Sequence, residues 1–314
     1  MSAAPGTAFQ RQKGFDMLVL GGGVAGLTAA WHGARLGLGV ALLEPAPLFG
    51  GQVATLGAID DFPAVGAQSG PGFAAQLLTS AREAGAAVSE DAAVRIRRTT
   101  SRIEVETRAH TLLAKNVLIA TGARPRPLPV AGAERYAGRG LSHCATCDGP
   151  LFRGRAAVVV GGGDAALQAA LELAQFCQRV TVVTRHRLRA RQAYIDAAAR
   201  RPNLEFAWDT VVEAILGDAG VSGVRLRHLP SGAVRELPCF GVFPLIGGLP
   251  NSEPAAEVAE LAADGAIRTT LDFETATPGV FAIGAVRAGF GGALASAAGE
   301  GAAVAAALAR RFRK

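Results

Sequence analysis

Two cysteines separated by two residues form the most conspicuous reactive feature of this sequence. Cys144 and Cys147 stand in the segment SHCATCDGPLF, with His143 before the pair and Asp148 directly after it. The C-x-x-C spacing lets two sulfurs form a small-ring disulfide that opens and closes readily, and it lowers the pKa of the attacking thiol. The sequence therefore predicts a redox-active dithiol.

Asp148 is the candidate proton carrier beside this dithiol. A carboxyl group next to a leaving thiolate can exchange the proton that thiol–disulfide chemistry moves. The alternative is that Asp148 serves only as a helix N-cap or turn residue. A structural zinc site, by contrast, needs about four ligands, and the chain has neither a second C-x-x-C motif nor paired histidines. We therefore expect no metal and assign His143 no catalytic role.

The remaining sequence features indicate a cytoplasmic protein that is not embedded in a membrane. The first 14 residues contain no apolar run of signal-peptide length, and no stretch supplies the roughly 20 apolar residues of a membrane span. A chain of 314 residues with a large core does not need disulfide staples. Cys177 and Cys239 are therefore expected to be buried, inert thiols.

The dithiol must be positioned by surrounding elements, and one sequence pattern occurs twice. FDMLVLGGGVAGLTAAWHGARLGLGVALLE spans residues 15–44, and RAAVVVGGGDAALQAALELAQFCQRVTVVT spans residues 155–184. Each copy is an apolar run of strand length, a glycine turn, an alanine-rich helical stretch and a second β-branched run. This is the order of a βαβ unit. The sequence therefore predicts an α/β protein with two nucleotide-binding units.

The first copy carries a complete dinucleotide-binding fingerprint. Gly21, Gly23 and Gly26 satisfy G-x-G-x-x-G between a predicted strand and a predicted helix. These glycines permit a tight turn and a close approach of the pyrophosphate to the helix N-terminus. Glu44 ends the second strand, where its carboxylate can accept hydrogen bonds from a ribose diol.

The second copy differs at the positions that select the nucleotide. Gly161 and Gly163 keep the first two fingerprint glycines, and Ala166 occupies the third position. Thr184 stands where the first copy has Glu44, so no acid repels a 2′-phosphate. It is followed by a run that contains Arg185, Arg187, Arg189 and Arg191. Guanidinium groups suit phosphate, so the pattern favours NADP, the alternative being a solvated arginine face.

Composition limits the possible classes of protein. Half of the residues are hydrophobic and 18% are charged, which indicates a large core, and the length suits about two domains. The net charge is +6, but the two tryptophans and two tyrosines are not interleaved with a basic stripe. We therefore do not expect a nucleic-acid partner.

From about Phe15 to Leu308, the sequence resembles the bacterial-type, low-molecular-weight thioredoxin reductases, which are class II pyridine nucleotide-disulfide oxidoreductases. CATCDG, placed shortly before a second GGG fingerprint, is the most specific part of this resemblance. The other matching segments are GGQ at 50–52, DFP at 61–63, ATGARPR at 120–126, GVFPLIGGLPN at 241–251, TPGVFAIGAVR at 277–287 and AAGEG at 297–301.

The resemblance implies a flavoprotein disulfide reductase made of two Rossmann-like, three-layer ββα domains. An FAD-binding domain at 1–125 and 246–314 would be split by an inserted NAD(P)H-binding domain at 126–245 that carries the dithiol. Hydride would pass from NADPH to FAD, and electrons would then pass to the dithiol and on to a thioredoxin-like small dithiol protein or a small-molecule dithiol. The resemblance also suggests a homodimer.

The resemblance further implies roles for individual residues. Cys147 would face the flavin, Cys144 would exchange with the protein substrate, and Asp148 would be the acid. The residues implied to bind FAD are Gly21, Gly23, Gly26, Glu44, Gly50, Gly51, Gln52, Asp61, Thr121 and Gly122. Those implied to bind the nicotinamide nucleotide are Gly161, Gly163, Arg185 and Arg189.

Several positions depart from the family pattern. Ala285 replaces an aspartate that usually hydrogen-bonds the flavin ribityl chain, and Gly292-Ala293 replaces an Arg-Gln pair near the flavin ring. Gln168 and Ala169 replace a pair of glutamates. These changes leave two alternatives open. One is a dithiol oxidase that uses O2, or a ferredoxin-fed reductase, with a vestigial nicotinamide site; the other is a non-catalytic redox sensor.

Overall fold

The computed structural model describes residues 14–59, 62–63, 65 and 68–312. The chain forms two compact units, one made of the described residues of Met1–Arg124 and Leu249–Lys314 and the other of Pro125–Gly248. The strands are β1 (Phe15–Leu20), β2 (Val40–Glu44), β3 (Ala87–Glu90), β4 (Ala93–Arg98), β5 (Ile103–Thr107), β6 (Thr111–Ile119), β7 (Ala123–Pro125), β8 (Ala156–Val160), β9 (Arg179–Val183), β10 (Leu204–Ala207), β11 (Thr210–Gly217), β12 (Val221–His228), β13 (Val234–Pro238), β14 (Gly241–Pro244), β15 (Gly248–Pro250) and β16 (Val280–Ala282).

Six α-helices occur in the described residues: α1 (Val24–Arg35), α2 (Gly70–Glu83), α3 (Ala145–Asp148), α4 (Asp164–Leu173), α5 (Gln192–Ala199) and α6 (Leu294–Phe312). Short 3-10 helices span Gly51–Thr55, Gly149–Phe152, Glu253–Ala255 and Gly284–Val286. Of these helices, none is both long enough and apolar enough to cross a membrane.

The first unit is built on a seven-stranded sheet. Its strand order is β3-β2-β1-β6-β5-β4, and β16 also pairs with β6. Strand β1 lies parallel between β2 and β6. The long β6 pairs antiparallel with β5 through its first half and parallel with β16 over Val117–Ile119. The loops that follow the parallel strands therefore meet at one edge, where open α/β sheets bind ligands.

Strand β1 is buried because both faces of its sheet are covered. Met17 and Val19 pack with residues of α1 and α6 on one face, whereas Leu18 and Leu20 pack on the other. Burial on both faces explains its nearly continuous apolar run. Helix α6 approaches α1 closely, since a Cβ atom on Gly301 would lie only 2.4 Å from the carbonyl oxygen of Ala25.

The second unit repeats this arrangement with a smaller sheet. Strands β10-β9-β8-β14 are parallel, and β11-β12-β13 form a separate antiparallel sheet. Val159 and Val182 pack with Leu167 of α4 on one face of the parallel sheet. On the other face, Val158 packs with Val224 of β12. The predicted α/β class, in which each domain has two β layers and one α layer, is therefore confirmed.

Candidate functional site

The first glycine turn connects β1 to α1, as the sequence pattern predicts. Gly21 has a φ of +111°, and a Cβ atom there would lie 2.2 Å from the carbonyl oxygen of Ala120. A Cβ atom on Gly26 would lie 1.9 Å from the carbonyl oxygen of Gly21, so both positions require glycine. By contrast, a Cβ atom on Gly23 would meet nothing nearer than 4.0 Å. The start of α1 therefore offers its free N–H groups to open space, which suits a bound anion.

Glu44 is held against this turn. Its Oε2 atom accepts a hydrogen bond from the Gly22 N–H at 2.6 Å, and its Oε1 atom accepts one from the Ala46 N–H at 2.9 Å. The carboxylate is only partly buried, and each oxygen has a second lone-pair site. Glu44 can therefore accept further hydrogen bonds from a ribose diol.

The segment Gly50-Gly51-Gln52 lies beside the same turn. The Gly50 N–H donates to the carbonyl oxygen of Gly22 at 2.8 Å, and Gly23 and Gly50 form a parallel bridge. Gly50 has a φ of +117°, and a Cβ atom there would lie 2.5 Å from the Cβ atom of Ala74. The structure thus brings together two glycine segments that are 27 residues apart in the sequence.

Thr121 and Gly122 follow β6 and are fixed by Asn251, a residue for which the sequence predicted no role. The Thr121 hydroxyl donates to the carbonyl oxygen of Asn251 at 2.7 Å, and the Asn251 Nδ2 atom donates to the carbonyl oxygen of Thr121 at 2.9 Å. The Asn251 N–H also donates to the carbonyl oxygen of Gly122. Asn251 ends the GGLPN segment, which was the available signal. The predicted ligand Asp61 lies outside the described residues.

The second glycine turn, between β8 and α4, has the same construction. Gly161 has a φ of +140°, and a Cβ atom there would lie 2.3 Å from the carbonyl oxygen of Leu245. A Cβ atom on Gly163 would meet nothing within 4 Å, so the start of α4 also faces open space. Ala166 is fully buried at the third fingerprint position.

The arginine run after β9 is tied to this second turn. The Arg189 N–H donates to the carbonyl oxygen of Gly162 at 2.7 Å, and the Thr184 hydroxyl donates to the carbonyl oxygen of His186 at 2.7 Å. Arg185, Arg187 and Arg189 are exposed, and their guanidinium groups form no ion pair or hydrogen bond within the described part of the chain. Arg191 differs, because it forms an ion pair with Asp164.

Cys144 and Cys147 form a disulfide with their Cα atoms 5.3 Å apart. Cys144 is the N-cap of α3, and the Cys147 N–H donates to the Cys144 Sγ atom at 3.1 Å. An N–H donor aimed at sulfur stabilises a thiolate, so this geometry favours the reactive form of Cys144 once the disulfide opens. Cys147 is exposed and Cys144 is partly buried.

The residues flanking the dithiol hold it beside β14. The Ser142 N–H donates to the carbonyl oxygen of Val242, and His143 Nδ1 lies 3.0 Å from the carbonyl oxygen of Pro244. Asp148 occupies the N-cap position of the 3-10 helix Gly149–Phe152, yet its side chain forms no capping hydrogen bond. Asp148 thus stands at the junction of two short helices, without a capping hydrogen bond from its side chain.

The other two cysteines are buried in the second unit, as predicted. Cys177 and Cys239 are free thiols that are 5% and 0% exposed. Burial raises the pKa of Cys177 to about 11 and that of Cys239 to about 12. Both therefore remain protonated and unreactive at neutral pH.

Comparison with known proteins decides the family. The model of the pyridine nucleotide-disulphide oxidoreductase family matches residues 15–306. The thioredoxin reductase of Treponema pallidum is 35% identical over 276 residues, which cover 87% of this chain and 89% of the relative. The chain belongs to the pyridine nucleotide-disulphide oxidoreductase family.

Solved structures of thioredoxin reductases show the same fold. The enzyme of Lactococcus lactis, in its FR conformation, matches with a TM-score of 0.92 and 32% identity over 95% of this chain and 98% of that chain. The T. acidophilum enzyme also has a TM-score of 0.92, with 30% identity over 96% and 100% of the two chains. The protein is a flavin-dependent disulfide oxidoreductase of the thioredoxin reductase type, and members of this family use FAD and NADPH.

The residues present fit both nucleotides. Each unit has a helix N-terminus that faces open space at its second fingerprint glycine, Gly23 in the first unit and Gly163 in the second. A side chain at either position would fill the space that a pyrophosphate needs. Only the first unit has a carboxylate, that of Glu44, at the end of the strand after its fingerprint helix, and the exposed Arg185, Arg187 and Arg189 follow the corresponding strand of the second unit.

Three departures from the family pattern, Ala285, Gly292 and Ala293, lie near α6 of the oxidoreductase, whereas Gln168 and Ala169 lie in α4 of the second unit. Ala285 presents only a methyl group within the turn Gly284–Val286, and a Cβ atom on Gly292 would meet nothing within 4 Å. The same turn is instead held by Glu300, whose Oε2 atom accepts the Gly284 N–H at 2.7 Å. Glu300 belongs to the AAGEG segment, from which no role was predicted for it.

Proposed function

We propose that this oxidoreductase uses NADPH to reduce the disulfide of a small, thioredoxin-like dithiol protein through Cys144 and Cys147. The observation that carries the proposal is the Cys144–Cys147 disulfide, built into the same unit as a second nucleotide fingerprint. The relatives and structures that match nearly the whole chain are named thioredoxin reductases, which supports a thioredoxin-like partner. The oxidised, disulfide form of a small-molecule dithiol is the other candidate acceptor.

In this proposal, the two units bind different nucleotides. Gly21, Gly23, Gly26 and Glu44, with Gly50, Gly51, Gln52, Thr121, Gly122 and Asp61, hold FAD in a domain made of residues 1–125 and 246–314. Gly161, Gly163, Arg185 and Arg189 hold NADPH in the inserted domain, residues 126–245. FAD held there would supply the two-electron chemistry that links NADPH to a disulfide.

The dithiol residues carry out the exchange with the acceptor. The Cys144 thiolate attacks one sulfur of the acceptor disulfide, which forms a mixed disulfide and releases the acceptor's other sulfur as a thiolate. Cys147 then attacks the Cys144 Sγ atom, which re-forms the internal disulfide and releases the second acceptor sulfur. Asp148, which directly follows Cys147 in the sequence, supplies a proton to a departing thiolate. The acceptor gains two electrons and two protons.

Anaerobic absorbance titration of the purified holoenzyme tests this route. We expect the oxidised flavin band to bleach with a slight excess of NADPH, and electrons to reach a thioredoxin added afterwards. The variant Cys144→Ser should still bleach with NADPH but should not reduce the thioredoxin. A flavin band that NADPH leaves unchanged would overturn the proposal.

A second candidate function is supported by the residues that replace flavin and nicotinamide contacts. Ala285, Gly292 and Ala293 provide no polar side chain, and the Gln168 Nε2 atom donates to the Tyr194 hydroxyl. These features suit a dithiol oxidase or a ferredoxin-fed reductase. In that case, dithiothreitol or reduced ferredoxin bleaches the flavin and NADPH does not. A colourless protein that turns over no dithiol would instead indicate a redox sensor.

We also propose a cytoplasmic homodimer. The family resemblance suggests the dimer, and a reductase suits a compartment in which thiols are kept reduced. Sedimentation equilibrium of the holoenzyme should give a mass near twice 32.0 kDa. A concentration-independent monomer mass would refute the dimer.

A further inference from the structure

One arginine in the run after β9 is bound differently from the other three. The Arg191 Nε atom lies 2.7 Å from Asp164 Oδ2, and the Arg191 N–H donates to Asp164 Oδ1 at 2.7 Å. Asp164 therefore receives both a backbone and a side-chain hydrogen bond from the same residue. The guanidinium group of Arg191 thus forms an ion pair with a carboxylate that is 27 positions earlier in the sequence.

Tyr194 and Gln168 fix the position of this guanidinium group. The Arg191 Cζ atom lies 4.9 Å from the centre of the Tyr194 ring, and its NH2 atom donates to the Tyr194 hydroxyl at 3.3 Å. The Gln168 Nε2 atom donates to the same hydroxyl at 2.5 Å. Because Tyr194 is only 9% exposed, this network anchors Arg191 to the packed side of α4 and α5.

The partner of Arg191 lies where an anion would bind. Asp164 is the first residue of α4, directly after Gly163, at which a Cβ atom would meet nothing within 4 Å. A carboxylate at this position stabilises the helix dipole but repels any phosphate that approaches the helix N-terminus. Without a counter-charge, Asp164 would oppose the ligand that the fingerprint is built to hold.

We infer that Arg191 is a positioning residue that neutralises Asp164, so that a dinucleotide pyrophosphate can approach the N-terminus of α4. This inference rests on the proposed binding of NADPH to the second unit. It separates the arginine run into two roles. Arg191 favours binding of NADP+ and NAD+ equally, because both contain the pyrophosphate. Arg185 and Arg189 favour NADP+ alone, because only NADP+ has a 2′-phosphate.

Isothermal titration calorimetry of the oxidised holoenzyme with NADP+ and NAD+ tests the assignment. For Arg191→Ala, we expect both dissociation constants to rise by the same factor, about three- to tenfold for an exposed pair, so that the NAD+/NADP+ ratio stays constant. The matched variant Arg189→Ala should weaken NADP+ and leave NAD+ unchanged.

A double variant identifies the cause of the change. Asp164→Asn combined with Arg191→Ala removes the repelling charge together with its partner, so both affinities should return to within about twofold of the wild type. Arg191→Lys keeps the positive charge and should also stay close to the wild type. These two variants keep the test valid if Arg191→Ala alone perturbs the fold of α4.

Other outcomes overturn different claims. If Arg191→Ala weakened the binding of NADP+ but not of NAD+, Arg191 would be a 2′-phosphate ligand. If the double variant bound both nucleotides as weakly as Arg191→Ala does, Arg191 would not act through Asp164. Either result overturns the inference about Arg191 but does not contradict the proposal that the second unit binds NADPH. A wild-type holoenzyme that binds neither nucleotide overturns the proposed function itself.

Discussion

Arg287 and Glu300 form an ion pair that is largely buried, with Arg287 NH2 2.5 Å from Glu300 Oε1 and side chains that are 16% and 9% exposed. The Glu300 Oε2 atom also accepts the Gly284 N–H. A Cβ atom on Gly284 would lie 3.1 Å from the Cβ atom of Ala25 in α1. The pair therefore fixes the turn that packs against the first fingerprint helix.

Replacing Glu300 with glutamine should destabilise the first unit. The amide cannot balance the charge of Arg287, and breaking a buried pair by removing one partner costs about 3–5 kcal/mol, an amount that the partial exposure of Arg287 reduces to about 2–4 kcal/mol. Urea denaturation measures this loss. Glu236→Gln, which removes an exposed pair with Arg225, is the matched control and should cost less than about 1 kcal/mol. Equal losses in the two variants would contradict the role of Glu300.

The two βαβ units could be predicted from sequence because each depends on local order: an apolar run, a glycine turn and a helical stretch. The dithiol could also be predicted, since its chemistry depends on a spacing of three residues. The pairing of Arg191 with Asp164 could not be predicted. Any of four arginines could have met that carboxylate, and only the path of the loop selects one. The role of Glu300 could not be predicted either, because its partners Gly284 and Arg287 lie in a turn whose path the sequence does not specify.

Two glycines of the first fingerprint should respond differently to alanine. Gly26→Ala would place a Cβ atom 1.9 Å from a backbone oxygen, so the variant should fold poorly or not at all. Gly23→Ala meets no atom nearer than 4.0 Å and should keep the fold, but its methyl group would fill the space of the pyrophosphate. Circular dichroism should therefore separate the variants, and Gly23→Ala should purify with little or no FAD. A Gly23→Ala protein that purifies with a full complement of bound FAD would refute the assignment of Gly23.

Thiol labelling should distinguish the two cysteine pairs. After mild reduction of the native protein at pH 7–8, we expect iodoacetamide to modify Cys144 and Cys147 only. Burial raises the pKa of Cys177 to about 11 and that of Cys239 to about 12, which leaves almost no thiolate on either. Mass spectrometry should find two modified residues in the folded protein and four in denaturant. Modification of Cys239 in the folded protein would contradict its burial.

The ion pair between Asp16 and Lys115 should make stability depend on acid pH. Burial of the Asp16 carboxyl group acts to raise its pKa, but hydrogen bonds from Lys115 and Gly39, with nearby positive charge, lower the pKa below its ordinary value. The stabilisation is therefore present above the ordinary carboxyl pKa and is lost as the pH falls through the lowered value. Asp16→Asn should cost up to about 1 kcal/mol at pH 7, and this cost should shrink as the pH falls below the ordinary carboxyl pKa, as measured by urea denaturation. A cost that does not change with pH would contradict the electrostatic origin.

Asp148→Asn should slow the reduction of a thioredoxin without preventing flavin bleaching by NADPH. The amide keeps the size and polarity of the side chain but cannot supply a proton, and general acid catalysis contributes about 10²–10⁴ in rate. Stopped-flow spectroscopy under anaerobic conditions measures the two half-reactions separately. The deficit should shrink in acidic buffer, because solvent acids then replace the missing carboxyl group. Since the Asp148 side chain forms no capping hydrogen bond in the structure, the thermal stability of the variant should equal that of the wild type. A slower reaction accompanied by lower thermal stability would instead indicate that Asp148 has a structural role.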